Sequence, residues 1–319
     1  MSPLVVDVVL LVVGIGALYF GAEWMVRGAA RLAAAFGVSS IVVGLTVVSL
    51  GTSAPELVVC VVAALEGRPD IATGNVLGSN LANMGLILGL TSLITPLNVH
   101  SRVVWREMPI MLAITLLLYP LFWDLSVSRV DGIVLIGVLG AYLFFAFRSV
   151  GDKAPEILGE YEEFVAEEPE PAPPRLKDVL FVLAGSLGLV AGGYLIVEGA
   201  VGVGTALGIS EVVIGLTVVA VGTSLPELAT AIVAAIRKEA DIAVGNVIGS
   251  NIFNLAGILG VTATVSPIPI ARTVLTHELA VVTVMSVVLF PLLWLGWRLR
   301  RWEGAFLLVG YVGAFFFLI

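Results

Sequence analysis

The chain has 319 residues, 59% of them apolar and 13% charged, with a mean hydropathy of +1.09 and a formal net charge of −8. An ordinary globular domain carries about 25% charged residues, so a soluble fold is excluded and the chain reads as an integral membrane protein. Eight of the 24 acidic residues fall between Asp152 and Glu170, so the net charge describes one segment and not an acidic surface. The single cysteine, Cys60, excludes an intrachain disulfide.

Apolar runs recur along almost the whole length, each long enough to cross a hydrocarbon core of ~30 Å as a helix. Charged and Pro/Gly-rich breaks divide them into ten spans: about 4–27, 40–65, 71–95, 103–123, 130–149, 178–206, 211–236, 242–266, 273–296 and 302–319. The first run, from Pro3 to Met25, lacks a basic start and an A-x-A signal, so it reads as a retained span. The stretch GDKAPEILGEYEEFVAEEPEPAPPRLK, residues 151–177, is acidic and proline-rich and cannot bury enough apolar surface to fold alone. It reads as a solvated tether between two five-span halves, 1–150 and 178–319. The expected fold is therefore an all-α polytopic membrane protein of ten transmembrane helices.

Orientation follows from the 16 Lys and Arg residues, because cytoplasmic loops retain basic residues. With the N-terminus outside, thirteen of them fall on the cytoplasmic side and three, Arg68, Arg129 and Arg272, outside. Both termini are then expected to be extracellular or periplasmic, with 151–177 cytoplasmic. Five spans is an odd number, so the second half enters the membrane from the opposite side.

The segment GLTVVSLGTSAPEL (44–57) returns as GLTVVAVGTSLPEL (215–228), with eleven of fourteen positions identical at a shift of 171 residues. The same shift aligns GNVLGSNLANM (74–84) with GNVIGSNIFNL (245–255), Pro96 with Pro267, and Glu107 with Glu278. Two unrelated apolar helices would share Leu and Val, not Gly, Thr, Ser, Pro, Glu and Asn in register. The chain is a duplicated unit, inverted by the basic-residue count, and such inverted repeats are characteristic of secondary transporters with sites near the midplane.

Within GTSAPEL, Pro55 removes a backbone donor and clashes with the carbonyl one turn earlier, near Gly51, so the ladder opens. Freed carbonyls in hydrocarbon must be met by protein, water or an ion, so the break implies a polar interior. Thr52 and Ser53 precede Glu56 by four and three residues, placing hydroxyls and carboxylate on one face. The same holds for Thr223, Ser224, Pro226 and Glu227. A carboxylate at that depth costs a few kcal/mol and marks an ion path. Two of them repel unless protonated or neutralised, and a divalent cation or two monovalent ones would remove the conflict.

Asn75, Ser79 and Asn83, spaced by four, form a polar stripe on the third span, and Asn246, Ser250 and Asn254 repeat it on the eighth. Carboxylate, amide and hydroxyl oxygens without thiolate or imidazole suit hard ions such as Ca²⁺ or Na⁺. Asn80 and Asn251 point about 100° off the stripe, since a helix turns by that angle per residue, and are expected to bond neighbouring helices. Gly74, Gly78, Gly245 and Gly249 form small-xxx-small pairs for close packing. Glu23 and Arg27 read as a local i,i+4 pair, and Glu198, at the repeat position of Arg27, as lining an outer vestibule. His100, His277, Glu107 and Glu278 read as interfacial, and Cys60 as a packed thiol.

The two G-T-S-x-P-E-L plus G-N-x-x-G-S-N-x-x-N units closely resemble the α-repeats of the sodium/calcium exchanger branch of the cation/Ca²⁺ antiporters. The resemblance covers the whole membrane portion. It implies that Glu56 and Glu227 are central Ca²⁺ and Na⁺ ligands, joined by Thr52, Ser53, Ser79 and Asn83 from one repeat and Thr223, Ser224, Ser250 and Asn254 from the other. It also implies the backbone carbonyls of Ser49 and Ala220 as ligands. The prokaryotic members exchange external Na⁺ for internal Ca²⁺ by alternating access, the first and sixth spans sliding against the other eight. Some members carry Asp at the position of Asn254, an acid associated with K⁺ co-transport; here two carboxylates alone would balance Ca²⁺.

The expected function is a Na⁺/Ca²⁺ antiporter, not an enzyme, with Ca²⁺ and Na⁺ as substrates and no cofactor. It is expected to be a monomer in the cell membrane with no nucleic-acid partner. A Ca²⁺/H⁺ antiporter would carry protons on the same glutamates, and a cation channel would pass Ca²⁺ without a counter-ion. An intramembrane hydrolase would need a nucleophile and base or an H-E-x-x-H pair, and the sequence offers neither.

Overall fold

The computed structural model describes residues 3–148, 176–207 and 222–318. Most of the linker 151–177, the first part of the seventh expected span and Ala220 lie outside the described residues. The helices are α1 (Pro3–Phe36), the bent pair α2 (Ser40–Thr52) and α3 (Ala54–Leu65), α4 (Pro69–Ile94), α5 (Val103–Leu121) and α6 (Arg129–Arg148) in the first half. The second half has α7 (Leu176–Ala206), α8 (Leu225–Ile236), α9 (Ala240–Val265), α10 (Val274–Trp294) and α11 (Arg301–Leu318). Eight of these are long and apolar enough to cross a membrane, and α2 with α3 makes a ninth.

The first helix runs past the expected end at residue 27, because Gly-Ala-Ala-Arg-Leu-Ala-Ala-Ala offers no breaker. It stops at Gly37, whose φ of +63° is the left-handed cap that glycine adopts without cost. Arg27 and Arg31 are thus helical residues and not loop residues.

The core is centred on α9, whose spanning window is 100% buried, and on α4, at 72%, while α1 and α11 bury 17%. The peripheral helices present Val, Leu and Phe side chains outward, as lipid-facing surfaces do. Among the described residues, four two-residue strands break the all-helical pattern: β1 (Leu97–Asn98), β2 (Ser126–Val127), β3 (Ile268–Pro269) and β4 (Arg298–Leu299). β1 pairs antiparallel with β4, and β2 with β3. Each strand therefore pairs with one from the other half, which staples the two halves together.

α1 and α7 lie against each other along their length, antiparallel, with glycine at the crossing points. A Cβ on Gly21 would stand 2.7 Å from the Leu189 nitrogen, one on Gly185 2.6 Å from the Met25 nitrogen, and one on Gly192 2.7 Å from the Leu18 nitrogen. Gly14, Gly21 and Gly28 are seven apart, two helical turns, and Gly185, Gly192 and Gly199 repeat them at the 171-residue shift. The seven-residue spacing of these glycines, legible in the sequence, marks the face that the two helices share. In α9, Gly245 and Gly249 do what their small-xxx-small spacing implied, since a Cβ at either would meet the Ile41 or Leu45 carbonyl of α2 at 2.9 or 2.5 Å, whereas at Gly74 and Gly78 of α4 no described atom lies within 4 Å of a built Cβ.

Candidate functional site

The helix break expected at GTSAPEL is present. α2 and α3 are bent by 45° at Ser53, whose φ of −84° and ψ of 7° are not helical. Ser224 has the same geometry, φ −89° and ψ 4°, immediately before α8. Pro55 and Pro226 occupy the first turn of the new helix, where a missing N–H costs nothing. Glu56 and Glu227 fall in that first turn, near the positive end of the helix dipole, and each is 1% exposed.

The two repeats meet at these residues. The Ser53 hydroxyl donates to Glu227 Oε1 at 3.0 Å, and the Ser224 hydroxyl interacts in turn with the Glu56 carboxylate. Thr52 donates to Asn246 Oδ1 at 3.2 Å, and the equivalent Thr223 donates to Asn75 Oδ1 at 3.4 Å. Ser224 also reaches the Ser79 hydroxyl at 3.4 Å. Each helix break is therefore held by the polar stripe of the opposite repeat, on α4 or α9. Asn75 and Asn246 hold the threonines in place, a role that their stripe spacing alone did not distinguish from ligation.

Ser49 is buried, and its hydroxyl donates to the Gly44 and Asn246 carbonyls at 2.8 and 3.0 Å. Its own carbonyl accepts the Ser53 N–H at 3.0 Å and stands 3.3 Å from the Thr52 hydroxyl, whose single proton it shares with Asn246 Oδ1. Ser79, Asn83, Ser250 and Asn254 are buried on the facing surfaces of α4 and α9. Asn83 and Asn254 stand where π-helical turns begin, Asn83–Ile87 and Phe253–Ile258, a distortion frequent at functional sites.

Among the described residues, five oxygens of the expected site side chains are buried and make no hydrogen bond: Glu56 Oε2, Glu227 Oε2, Asn83 Oδ1, Asn254 Oδ1 and the Ser250 hydroxyl. Leaving a buried polar group unmet costs about 1–3 kcal/mol, more for a charged one. Four of the five are acceptors in two repeat-related pairs. Carboxylate and amide oxygens left unmet in this way are the kind of ligand that a hard cation takes.

Other ionisable residues separate into expected and unexpected. Glu23 binds Arg27 at 2.8 Å as read from the sequence, but it also accepts a two-pronged contact from Arg237, in the turn between α8 and α9. Glu107 departs from an interfacial placement: it is 0% exposed and bonds Arg102 at 3.1 Å, with Arg106 at 3.9 Å. Arg102, at the N-cap of α5, and Arg106, the residue before Glu107, are what allow the carboxylate to be buried. Cys60 is a packed thiol, donating to the Ala72 carbonyl at 3.5 Å and accepting from Asn75 at 3.2 Å. Glu198 is exposed.

Known proteins share this architecture. The model of the sodium/calcium exchanger protein family matches residues 6–148 and 177–319. CaxA of Alkalimonas amylolytica is 38% identical over 314 residues, 97% of this chain and 98% of its own. The sodium/calcium exchanger MaX1 of Methanosarcina acetivorans is 32% identical over 339 residues, 96% of this chain and 97% of its own. The solved structure of the sodium-calcium exchanger NCX_Mj soaked with 10 mM Na⁺ and 10 mM Sr²⁺ matches with a TM-score of 0.83 at 32% identity, over 98% of both chains. On the strength of both halves, the chain belongs to the sodium/calcium exchanger protein family and is a membrane transporter, not an enzyme.

Proposed function

We propose that the protein is a Na⁺-driven Ca²⁺ antiporter that works by alternating access around one site shared by the two repeats. The observation that carries this reading is the set of unmet buried acceptors, Glu56 Oε2, Asn83 Oδ1, Glu227 Oε2 and Asn254 Oδ1. In this reading Glu56 and Glu227 supply the charge that balances Ca²⁺. Thr52, Ser53, Ser79 and Asn83 from one repeat and Thr223, Ser224, Ser250 and Asn254 from the other supply neutral oxygens, with the Ser49 and Ala220 carbonyls completing the set. The Ser49 carbonyl would have to release one of its present donors to take part.

The halves 1–150 and 178–319 act as inverted five-helix repeats making ten spans. Two relationships support the inversion. The repeat-related helices α1 and α7 pack antiparallel, and β1 pairs with β4 and not with its own repeat mate β3. If the ends of α4 and α10 lie on one face, the repeats point opposite ways. We place both termini outside and 151–177 in the cytoplasm, on the distribution of Lys and Arg. α1 and α7, touching backbone to backbone, form the pair suited to move as one body against the rest.

In proteoliposomes loaded with Na⁺, uptake of radiolabelled Ca²⁺ is expected on dilution into Na⁺-free buffer, and is expected to vanish in Glu56→Gln and in Glu227→Gln. Uptake that survives both substitutions sinks the site. Uptake that follows a proton gradient and ignores Na⁺ replaces the reading by Ca²⁺/H⁺ exchange on the same glutamates, and flux without any counter-ion replaces it by a channel.

A further inference from the structure

We propose that Asn80 and Asn251 are positioning residues that act across the repeats, each fixing the amide of the opposite repeat's proposed ligand, Asn254 or Asn83, so that its oxygen faces the ion. This deepens the site reading above and rests on it. Asn83 Nδ2 donates to Asn251 Oδ1 at 3.0 Å, and Asn254 Nδ2 donates to Asn80 Oδ1 at 3.0 Å. All four side chains are buried, at 1% exposure or less.

An amide carries a donor end and an acceptor end of nearly equal size, and only its partners decide which way it points. Asn80 and Asn251 each offer an oxygen to the opposite repeat, and the only group that Asn254 or Asn83 can give it is the NH₂. Once the NH₂ is committed, the oxygen must face the other way, and it is this oxygen that has no partner in either residue. Without the clasp, either amide could turn by half a rotation and present N–H groups to a cation, which repel it.

The clasps are anchored differently. Asn80 Nδ2 donates to the Asn251 backbone carbonyl at 3.3 Å, whereas Asn251 Nδ2 reaches only the soft Met111 Sδ at 3.5 Å. The Asn83 arm, held by Asn251, is accordingly the looser of the two.

The signature is a crossed pattern of coupling that helix stability alone does not produce. Ca²⁺ binding to the purified full chain, measured by titration calorimetry, should weaken about tenfold in Asn251→Ala, the loss of about 1.4 kcal/mol. In an Asn83→Ala background the same change should add less than about twofold, and in Asn254→Ala its full effect. Asn80→Ala should mirror this, silent with Asn254→Ala and fully additive with Asn83→Ala. Asn251→Ser and Asn80→Ser carry the same crossed expectation if an alanine variant does not fold. Equal effects in both backgrounds, or coupling to the asparagine on the same helix, overturn the inference. Glu56→Gln separates the two levels: loss of binding there without a crossed pattern refutes only the positioning role, whereas unchanged binding there refutes the site itself.

Discussion

Ser53, at the break between α2 and α3, donates its hydroxyl to Glu227 Oε1 across the repeat boundary at 3.0 Å. One repeat therefore steadies the carboxylate of the other. Replacing Ser53 by Ala removes a donor from a carboxylate that is 1% exposed, a loss of about 1–3 kcal/mol. We expect a lower thermal midpoint without ions, largely restored by saturating Ca²⁺, which would take over the oxygen. Ser53→Thr keeps the donor and should behave like the parent. A midpoint that Ca²⁺ leaves unrestored in Ser53→Ala but restores in Ser53→Thr would mean that the Ser53 hydroxyl serves the ion itself and not only Glu227.

The α1–α7 contact makes a sharper demand. At Gly185 a methyl group would meet the Met25 backbone at 2.6 Å and the Gly21 carbonyl at 2.8 Å, and backbone atoms cannot swing aside. Gly185→Ala is expected to cost about 1–3 kcal/mol as overpacking, read as a lower midpoint and reduced folded yield. Gly16, on the partner helix α1, has no described atom within 4 Å of a built Cβ. Gly16→Ala should be neutral or more stable by about 0.5–1 kcal/mol. Equal effects at the two sites would contradict the packing.

Much of this was readable beforehand because the duplication is strict. Thr52, Glu56, Asn83 and their mates at the 171-residue shift are chemically improbable in lipid, so their recurrence pointed to the buried polar region where the two repeats meet. The break at Ser53 followed from Pro55, a local steric fact. What escaped was what depends on which partner a side chain finds, near or distant in sequence. Arg237 lies 214 residues from Glu23, and nothing in either segment announces the other. Glu107 looked interfacial because it sits near a span end, yet Arg102 and Arg106 neutralise it and allow full burial. The crossed asparagine bonds could not be assigned from helical angle alone, which says where a side chain points but not which repeat it reaches.

The Glu23–Arg237 contact ties α1 to the α8–α9 turn, and its repeat-related positions, Tyr194 and Glu66, cannot form an ion pair. The Arg237 side chain is 42% exposed, so solvent screening holds the interaction to about 1 kcal/mol. A double-mutant cycle of Glu23→Gln and Arg237→Gln, read as thermal midpoints, should show coupling of that size at low salt and less at high salt. Strict additivity at low salt would mean that Arg27 alone satisfies Glu23.

Glu107 and Glu278 occupy equivalent repeat positions with opposite surroundings. Glu107 is wholly buried against Arg102, which also donates to the Ala146 carbonyl at 3.3 Å. Glu278 is half-buried and, among the described residues, takes part in no ion pair. Removing one member of a buried pair leaves the other charge uncompensated, which costs about 3–5 kcal/mol; Arg102 keeps a carbonyl partner, so Glu107→Leu should fall near about 3 kcal/mol. Glu278→Gln removes a charge that no cation holds and leaves a group able to donate, so a change within about 0.5 kcal/mol is expected. The pair of variants tests whether duplication preserved a role or only a residue. A comparable loss of stability in both would mean that Glu278 is as firmly paired as its mate, and that the two ends of the fold are more alike than their arginines indicate.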